Sequence, residues 1–339
     1  MRWTWARKMA LAKPPHDSEL LALGWSSFFD AQVDEDETDL VPVRVAHIHR
    51  ARISGYSSSG LVDLKLPASR ATGDYAVGDF VLANANDFLV RRRLERTSLL
   101  SRRRGDGSIQ LSAANVDTLF IVTSCNDDFS IPRLERFLAM ASQSEIAPVL
   151  VLTKSDTAED AAPFMELAAG LARDLEVVVV DPRQADALAK LQPWFGVGKT
   201  AALTGSSGVG KSTLVNTLAA LHSGTAQVTD TIRVHDSKGR HTTTSRSLHP
   251  VAGGGWVVDT PGIRSVHLGE AAESLDVVFA EISEVASQCK FSNCTHTHEP
   301  SCAVLAALSH GSIDPQRYSR WRKLQEEDAV ASAPRRGHH

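Results

Sequence analysis

The chain has 339 residues, of which 42% are hydrophobic, and a formal net charge of −4. That length suits two or three domains with real cores, and that charge argues against nucleic-acid binding through bulk basicity. There is no run of about eighteen apolar residues and no signal-peptide pattern, so a membrane protein is disfavoured and a cytoplasmic chain with reduced cysteines is expected.

Residues before Pro14 give no clear assignment. Residues 18–32 read as a helix, with Leu21, Trp25, Phe28 and Phe29 at a spacing that marks packing. An acidic stretch, Asp34 to Asp39, follows. The chain then turns basic: Arg44, His47, His49, Arg50, Arg52, Lys65, Arg70, Arg91, Arg92, Arg93, Arg96, Arg102, Arg103 and Arg104. Such a region either neutralises phosphates or forms a solvated basic face. Strands are expected over 41–53, 60–66, 77–82 and 88–94, with a turn at Gly73-Asp74. Short strands spaced about eight to twelve residues apart suit a five-stranded OB-type barrel. Barrels of this kind often bind nucleic acid, and many serve only as interaction modules.

From residue 118 onward strands and helices alternate, which predicts a mostly parallel sheet covered by helices. A strand over 118–124 leads to a helix over 132–142 with Leu134, Phe137 and Leu138 inward. Cys125, at the strand end, reads as a buried thiol. The apolar run 148–152 ends in Thr153, Lys154, Ser155 and Asp156, a fit to [NT]-K-x-D. A carboxylate at Asp156 accepts from guanine N1–H and N2–H₂, a pairing adenine does not offer. Lys154 would lie along the base plane. Thr153 replaces the commoner Asn and lacks an amide to brace the phosphate loop and the base together, which predicts weaker nucleotide affinity. A helix over 161–175 and a strand over 176–180 come next.

Gly205, Ser206, Ser207, Gly208, Val209, Gly210, Lys211, Ser212 and Thr213 fit G-x-x-x-x-G-K-[ST], between a short apolar strand at 200–203 and a helix over 211–221. Glycines let backbone N–H groups curl around phosphate oxygens, and the helix N-terminus favours the anion. Lys211 brings a charge to the β/γ-phosphates and the Ser212 hydroxyl suits Mg²⁺. Between residues 224 and 250 periodicity vanishes, in the place of a first switch. One of Thr242, Thr243 and Thr244 is expected to complete the Mg²⁺ shell, with Thr243 favoured. Asp259, Thr260, Pro261 and Gly262 then give D-x-x-G: Asp259 for Mg²⁺, and the Gly262 N–H for the γ-phosphate. Ile263 stands where many GTPases place a Gln that orients the attacking water. His241 is the best internal substitute, with a solvated loop residue or an RNA contact as the other reading. The guanine motif precedes both phosphate motifs, the order of a circularly permuted GTPase.

Cys289, Cys294, His296 and Cys302 give C-x₄-C-x-H-x₅-C, a donor set suited to one structural, four-coordinate Zn²⁺. His298 rivals His296. Residues 314–327 read as a polar helix and 329–339 as a disordered tail.

Together these motifs, with Leu23-Gly24-Trp25, Ala76-Val77-Gly78-Asp79 and Ala114-Asn115-Val116-Asp117, resemble the ribosome small-subunit-dependent GTPase A family of bacterial permuted GTPases. The resemblance runs from about Leu20 to Glu326. It implies a multidomain fold: an N-terminal extension at 1–39, an OB-type β-barrel at 40–108, a circularly permuted α/β P-loop GTPase at 109–273 and a small, mostly helical zinc domain at 274–328. It also implies binding to the small ribosomal subunit and its rRNA, weak intrinsic GTP hydrolysis stimulated by that particle, and a role in late subunit maturation. A monomer is expected. The turn near Asp181-Pro182 departs from the small Ser-Ala loop that usually backs the guanine. An RNA-binding assembly scaffold with a mainly structural nucleotide is the alternative. An ATP-using kinase is disfavoured by Thr153-Lys154-Ser155-Asp156.

Overall fold

The computed structural model describes residues 18–49, 51–103, 108–184, 186–222, 246–259 and 272–332. His241, Thr242, Thr243, Thr244, Gly262 and Ile263 lie outside these residues, as do 1–17 and 333–339.

The expected N-terminal helix is two short ones, α1 (Ser18–Ala22) and α2 (Ser27–Asp30). Gly24 breaks it with φ +88, where a Cβ would stand 2.6 Å from the Gly198 carbonyl oxygen. Only glycine permits that approach. Trp25 and Phe29 are buried against Phe80.

Five strands follow: β1 (Leu40–Ile48), β2 (Ile53–Ser57), β3 (Gly60–Leu64), β4 (Phe80–Asn84) and β5 (Val90–Arg93). β1 pairs antiparallel with both β2 and β4, β2 with β3, and β4 with β5. A bridge between Lys65 and Leu89 joins the free edges into a ring. Alternate residues point inward, so Val43, Val45, Ile53, Leu64, Val81 and Val90 fill it. A hairpin not anticipated from sequence, β6 (Leu99–Arg103) with β7 (Ile109–Ala114), leads out of this unit.

The α/β unit comprises β8 (Thr118–Ser124), α3 (Ile131–Gln143), β9 (Ala147–Thr153), α4 (Ala162–Ala169), β10 (Glu176–Val179), α5 (Asp186–Leu191), β11 (Thr200–Gly205), α6 (Lys211–His222), β12 (Arg246–Val251) and β13 (Gly255–Asp259). Its strand order is β10-β9-β8-β11-β13-β12, parallel except for β12. Leu191, Leu214, Val215 and Leu218 cover one face of the sheet through α5 and α6. Leu134, Phe137 and Leu138 of α3 cover the other, together with the C-terminal helices. Those are α7 (Ala272–Val278), α8 (Ala280–Ala286), α9 (Ala303–Ser309) and α10 (Pro315–Ser332). The last helix runs past the expected end at 327, so the tail expected to be disordered from 329 is helical through Ser332.

The five-stranded ring and the α/β unit share backbone and side-chain bonds. β12 pairs with β1 at His47–Ser247 and Ile48–Arg246. Arg44, read from sequence as part of the basic surface, is 1% exposed. Its Nη1 donates to the Leu23 carbonyl and its Nη2 to Thr200 Oγ1, both at 2.6 Å, and burial pushes its pKa down to about 10. Arg92 and Arg96 are likewise engaged internally, with Glu37 and Asp79. Part of the basic stretch therefore holds the fold together, and Arg52, Lys65, Arg70, Arg91 and Arg93 remain as exposed cations. Among the described residues no helix is long and apolar enough to cross a membrane.

Candidate functional site

Permutation leaves the described parts of the site together because they sit at the carboxyl ends of parallel strands, where ligands of open α/β sheets bind. β9 ends in Thr153, β11 in Gly205 and β13 in Asp259. Ser124 is in register with Thr153, and Gly205 with Val122. Three motifs far apart in sequence thus share one edge.

Gly205 has φ +138, and a Cβ there would stand 2.1 Å from the Val122 carbonyl oxygen. The glycine lets β11 turn into the loop without leaving its neighbour strand. Val209 is buried while Ser207, Gly208, Ser212 and Thr213 are exposed, and Ser206, Gly210 and Lys211 are half-buried. Lys211 Nζ donates to the Gly205 carbonyl at 2.9 Å and to that of Ser206, inside the curl of the loop. At the mouth, Arg133 from the start of α3 donates to Ser206 Oγ. Asp259 is largely buried; burial pushes its carboxyl pKa up, and the charge of Lys211 counteracts that. The two groups therefore sense one another across the place expected for the phosphates.

Thr153 reaches the phosphate loop without an amide. Its side chain is fully buried, and Oγ1 lies 2.7 Å from the Val209 carbonyl and 3.1 Å from that of Thr123. The hydroxyl does brace the phosphate loop, through one donor. Lys154 follows in the left-handed region at φ 56, which turns the chain sharply and presents Asp156 from a short 3₁₀ segment.

Opposite Asp156 stands the loop 181–184. Thr217 Oγ1 of α6 donates to the Pro182 carbonyl at 2.6 Å. A Cβ built on Gly210 would lie 3.1 Å from Pro182 Cγ, so the proline rests on the phosphate loop. Arg183 donates through Nε and Nη2 to Asp181, each at 2.8 Å, and through Nη2 to Asp156 Oδ2 at 2.9 Å. That guanidinium holds the Asp181 carboxyl at about 2. No motif marked Arg183 or Arg133; the only hint was that turn 181–182 lacked the usual small residues.

A second centre lies in the C-terminal helices. The ligand atoms of Cys289, Cys294, His296 and Cys302 all fall within 4.8 Å of one another and could hold one metal ion. Cys289 Sγ is 3.8 Å from Cys302 Sγ, and His296 Nδ1 is 3.4 and 3.5 Å from those two sulfurs. These separations are far too long for a disulfide. They match the edges of a tetrahedron whose centre-to-sulfur distance is about 2.3 Å. His298, the rival ligand, lies outside the cluster and contacts Thr297 Oγ1 through Nδ1 at 2.8 Å. The His296 ring packs on Trp321 of α10, 5.5 Å between centroids.

The sequence model described as RsgA GTPase matches residues 93–269. A small ribosomal subunit biogenesis GTPase RsgA of Mesorhizobium japonicum is 54% identical over 321 residues, 93% of each chain. Its counterpart named RsgA 2 in Vibrio parahaemolyticus is 40% identical over 93% of this chain and 87% of its own. Among solved structures, the circularly permuted GTPase YloQ superposes with a TM-score of 0.62 at 25% identity, over 89% of this chain and 99% of that one. YjeQ from Thermotoga maritima gives 0.62 at 24% identity, over 85% and 98%, and supports the fold. A strand-end site in permuted order, a three-cysteine, one-histidine cluster and these similarities over nearly the whole length agree: the chain belongs to the RsgA family of circularly permuted GTPases.

Proposed function

We propose that this chain hydrolyses GTP to GDP and phosphate while bound to the small ribosomal subunit, as a late maturation factor released by hydrolysis. The observation that carries the reading is the meeting of Asp156, Lys211 and Asp259 at one sheet edge, in a chain 54% identical to a protein named for small-subunit biogenesis. Asp156 reads guanine N1–H and N2–H₂. Lys154 lies along the base and Thr153 ties it to the phosphate loop. Backbone N–H groups of 205–213 and Lys211 Nζ hold the phosphates. Ser212, Thr243 and Asp259 would hold Mg²⁺, which would supply charge neutralisation at the phosphate oxygens, and the Gly262 N–H would meet the γ-phosphate. His241 orients the attacking water in place of the side chain that Ile263 lacks.

The ring β3-β2-β1-β4-β5, closed by the Lys65–Leu89 bridge, has the strand order of an OB-type barrel. Its exposed arginines and Lys65 suit rRNA phosphates. Domains at 40–108, 109–273 and 274–328 follow, in a cytoplasmic monomer. The metal is Zn²⁺, bound by three thiolates and one imidazole in a closed structural site.

GTP turnover with and without purified small subunits tests the proposal. An incompletely assembled site turns over slowly, so docking is expected to raise the rate at least ~10-fold, a barrier reduction of about 1.4 kcal/mol. Large subunits are expected to do little. A flat response would favour the scaffold reading.

Metal analysis tests the second centre. One zinc per chain is expected, lost on Cys289→Ser combined with Cys302→Ser. Because such binding is coupled to local folding, chelation is expected to expose 289–302 to protease before the α/β unit is cut. Metal-free protein with an intact C-terminal module would contradict the assignment.

A further inference from the structure

The Oδ2 oxygen of Asp156, one of the two acceptors that guanine needs, already carries a bond from Arg183 Nη2 at 2.9 Å. The guanidinium does not depend on that bond for its position. Its Nε and Nη2 grip both oxygens of Asp181 at 2.8 Å, and the Arg183 backbone N–H caps Asp181 Oδ1 at 3.0 Å. The loop that carries it is fixed in turn, since Pro182 is bonded to Thr217 and rests on Gly210. Arg183 thus stands on a rigid mount, held strongly by one carboxylate and lightly by the other. Releasing Asp156 breaks one bond and leaves the Asp181 fork intact.

We propose that Arg183 is an internal competitor for the guanine base: it occupies the base-reading carboxylate, so nucleotide enters by displacing it. This rests on the assignment of Asp156 as the guanine reader. Competition at the base acts on GDP and GTP alike, because the phosphates are remote from it. It lowers affinity for both and speeds nucleotide release, which lets a chain of this kind exchange GDP for GTP without a separate exchange factor. The groups are solvent-accessible, at 62% for the Arg183 side chain and 49% for Asp156. The effect is therefore that of an exposed ion pair, a few-fold, and falls with ionic strength.

The test measures equilibrium affinity and dissociation rate with ribose-labelled fluorescent GDP, GTP and xanthosine diphosphate. Arg183→Ala is expected to tighten GDP and GTP by the same factor, about 3-fold at low salt, through slower dissociation, and to lose most of that gain at about 1 M salt. Asp156→Asn is expected to move preference from GDP to xanthosine diphosphate. In that background Arg183→Ala is expected to leave xanthosine diphosphate affinity unchanged, because no carboxylate remains at 156 for the arginine to hold. Weaker or unchanged GDP binding in Arg183→Ala would overturn the inference; weakening would mean that the guanidinium stacks on the base instead. Equal tightening in both backgrounds would also overturn it. If Asp156→Asn leaves base preference untouched, the base-reading assignment itself fails, separately from the role of Arg183.

Discussion

Lys211→Ala is expected to reduce GTP hydrolysis at least ~100-fold in kcat/KM, a loss of about 2.7 kcal/mol of transition-state stabilisation. The lysine is the only side-chain ammonium placed inside the curl of the phosphate loop among the described residues, with Nζ on the Gly205 and Ser206 carbonyls. Charge on the phosphoryl oxygens must be neutralised as the γ-phosphate departs, and positioning with electrostatics supplies nearly all of the catalysis in such sites. Arg133 at Ser206 does not compensate, since it approaches from outside the loop at the start of α3. The fold is expected to survive, because Lys211 is the first residue of α6 and the buried face of that helix comes from Leu214, Val215 and Leu218. Zinc content and the unfolding midpoint should therefore match the parent protein. Near-parental turnover in a correctly folded variant would remove the phosphate loop from the active centre.

Much of this site was legible because its chemistry is local. A phosphate loop needs a strand, glycines and a helix in immediate succession, and β11 and α6 flank it as read. The cysteine spacing likewise declared its cluster, and packing only had to choose His296 over His298. What sequence hid depends on distant partners. β12 carries Ser247, His249 and Pro250, poor strand formers in isolation, and is a strand because β13 and β1 pair with it from both sides. The β6–β7 hairpin is arginine-rich and read as basic surface. Thr153 looked like a loss because its partner, the Val209 carbonyl, is 56 residues away. Arg44 looked solvated until Leu23 and Thr200 closed over it. Arg183 had no motif of its own, since it meets Asp156 only through the parallel pairing of β9 and β10.

The helix α10 is polar, as read from sequence, and its buried stripe carries the second prediction. Arg317, Arg320, Trp321 and Leu324 recur at three- and four-residue spacing and face inward. Glu135 of α3 is fully buried and accepts from both arginines: Arg317 Nη1 at 2.8 Å, and Arg320 Nε at 2.9 and 3.0 Å. Arg317 also donates to Glu281 and to the Leu171 and Val278 carbonyls, and lies 4.3 Å from the Phe279 ring centre. Removing one member of such a buried network strands the charge of the others. Glu135→Ala is therefore expected to destabilise the protein by about 3–5 kcal/mol, read by denaturant unfolding and by hydrogen exchange across 131–143 and 315–332. Replacing Arg317 and Arg320 by Met in the same variant is expected to restore part of the loss, since no buried cation then lacks its carboxylate. A cost below about 1 kcal/mol, the worth of an exposed pair, would refute the clamp. The same helix that α10 grips begins at the phosphate-loop mouth, where Arg133 reaches Ser206. Loosening the clamp is accordingly expected to blunt stimulation of turnover by small subunits at temperatures where Glu135→Ala is still folded. Full stimulation in that variant would mean that the C-terminal helices and the nucleotide site communicate by another route.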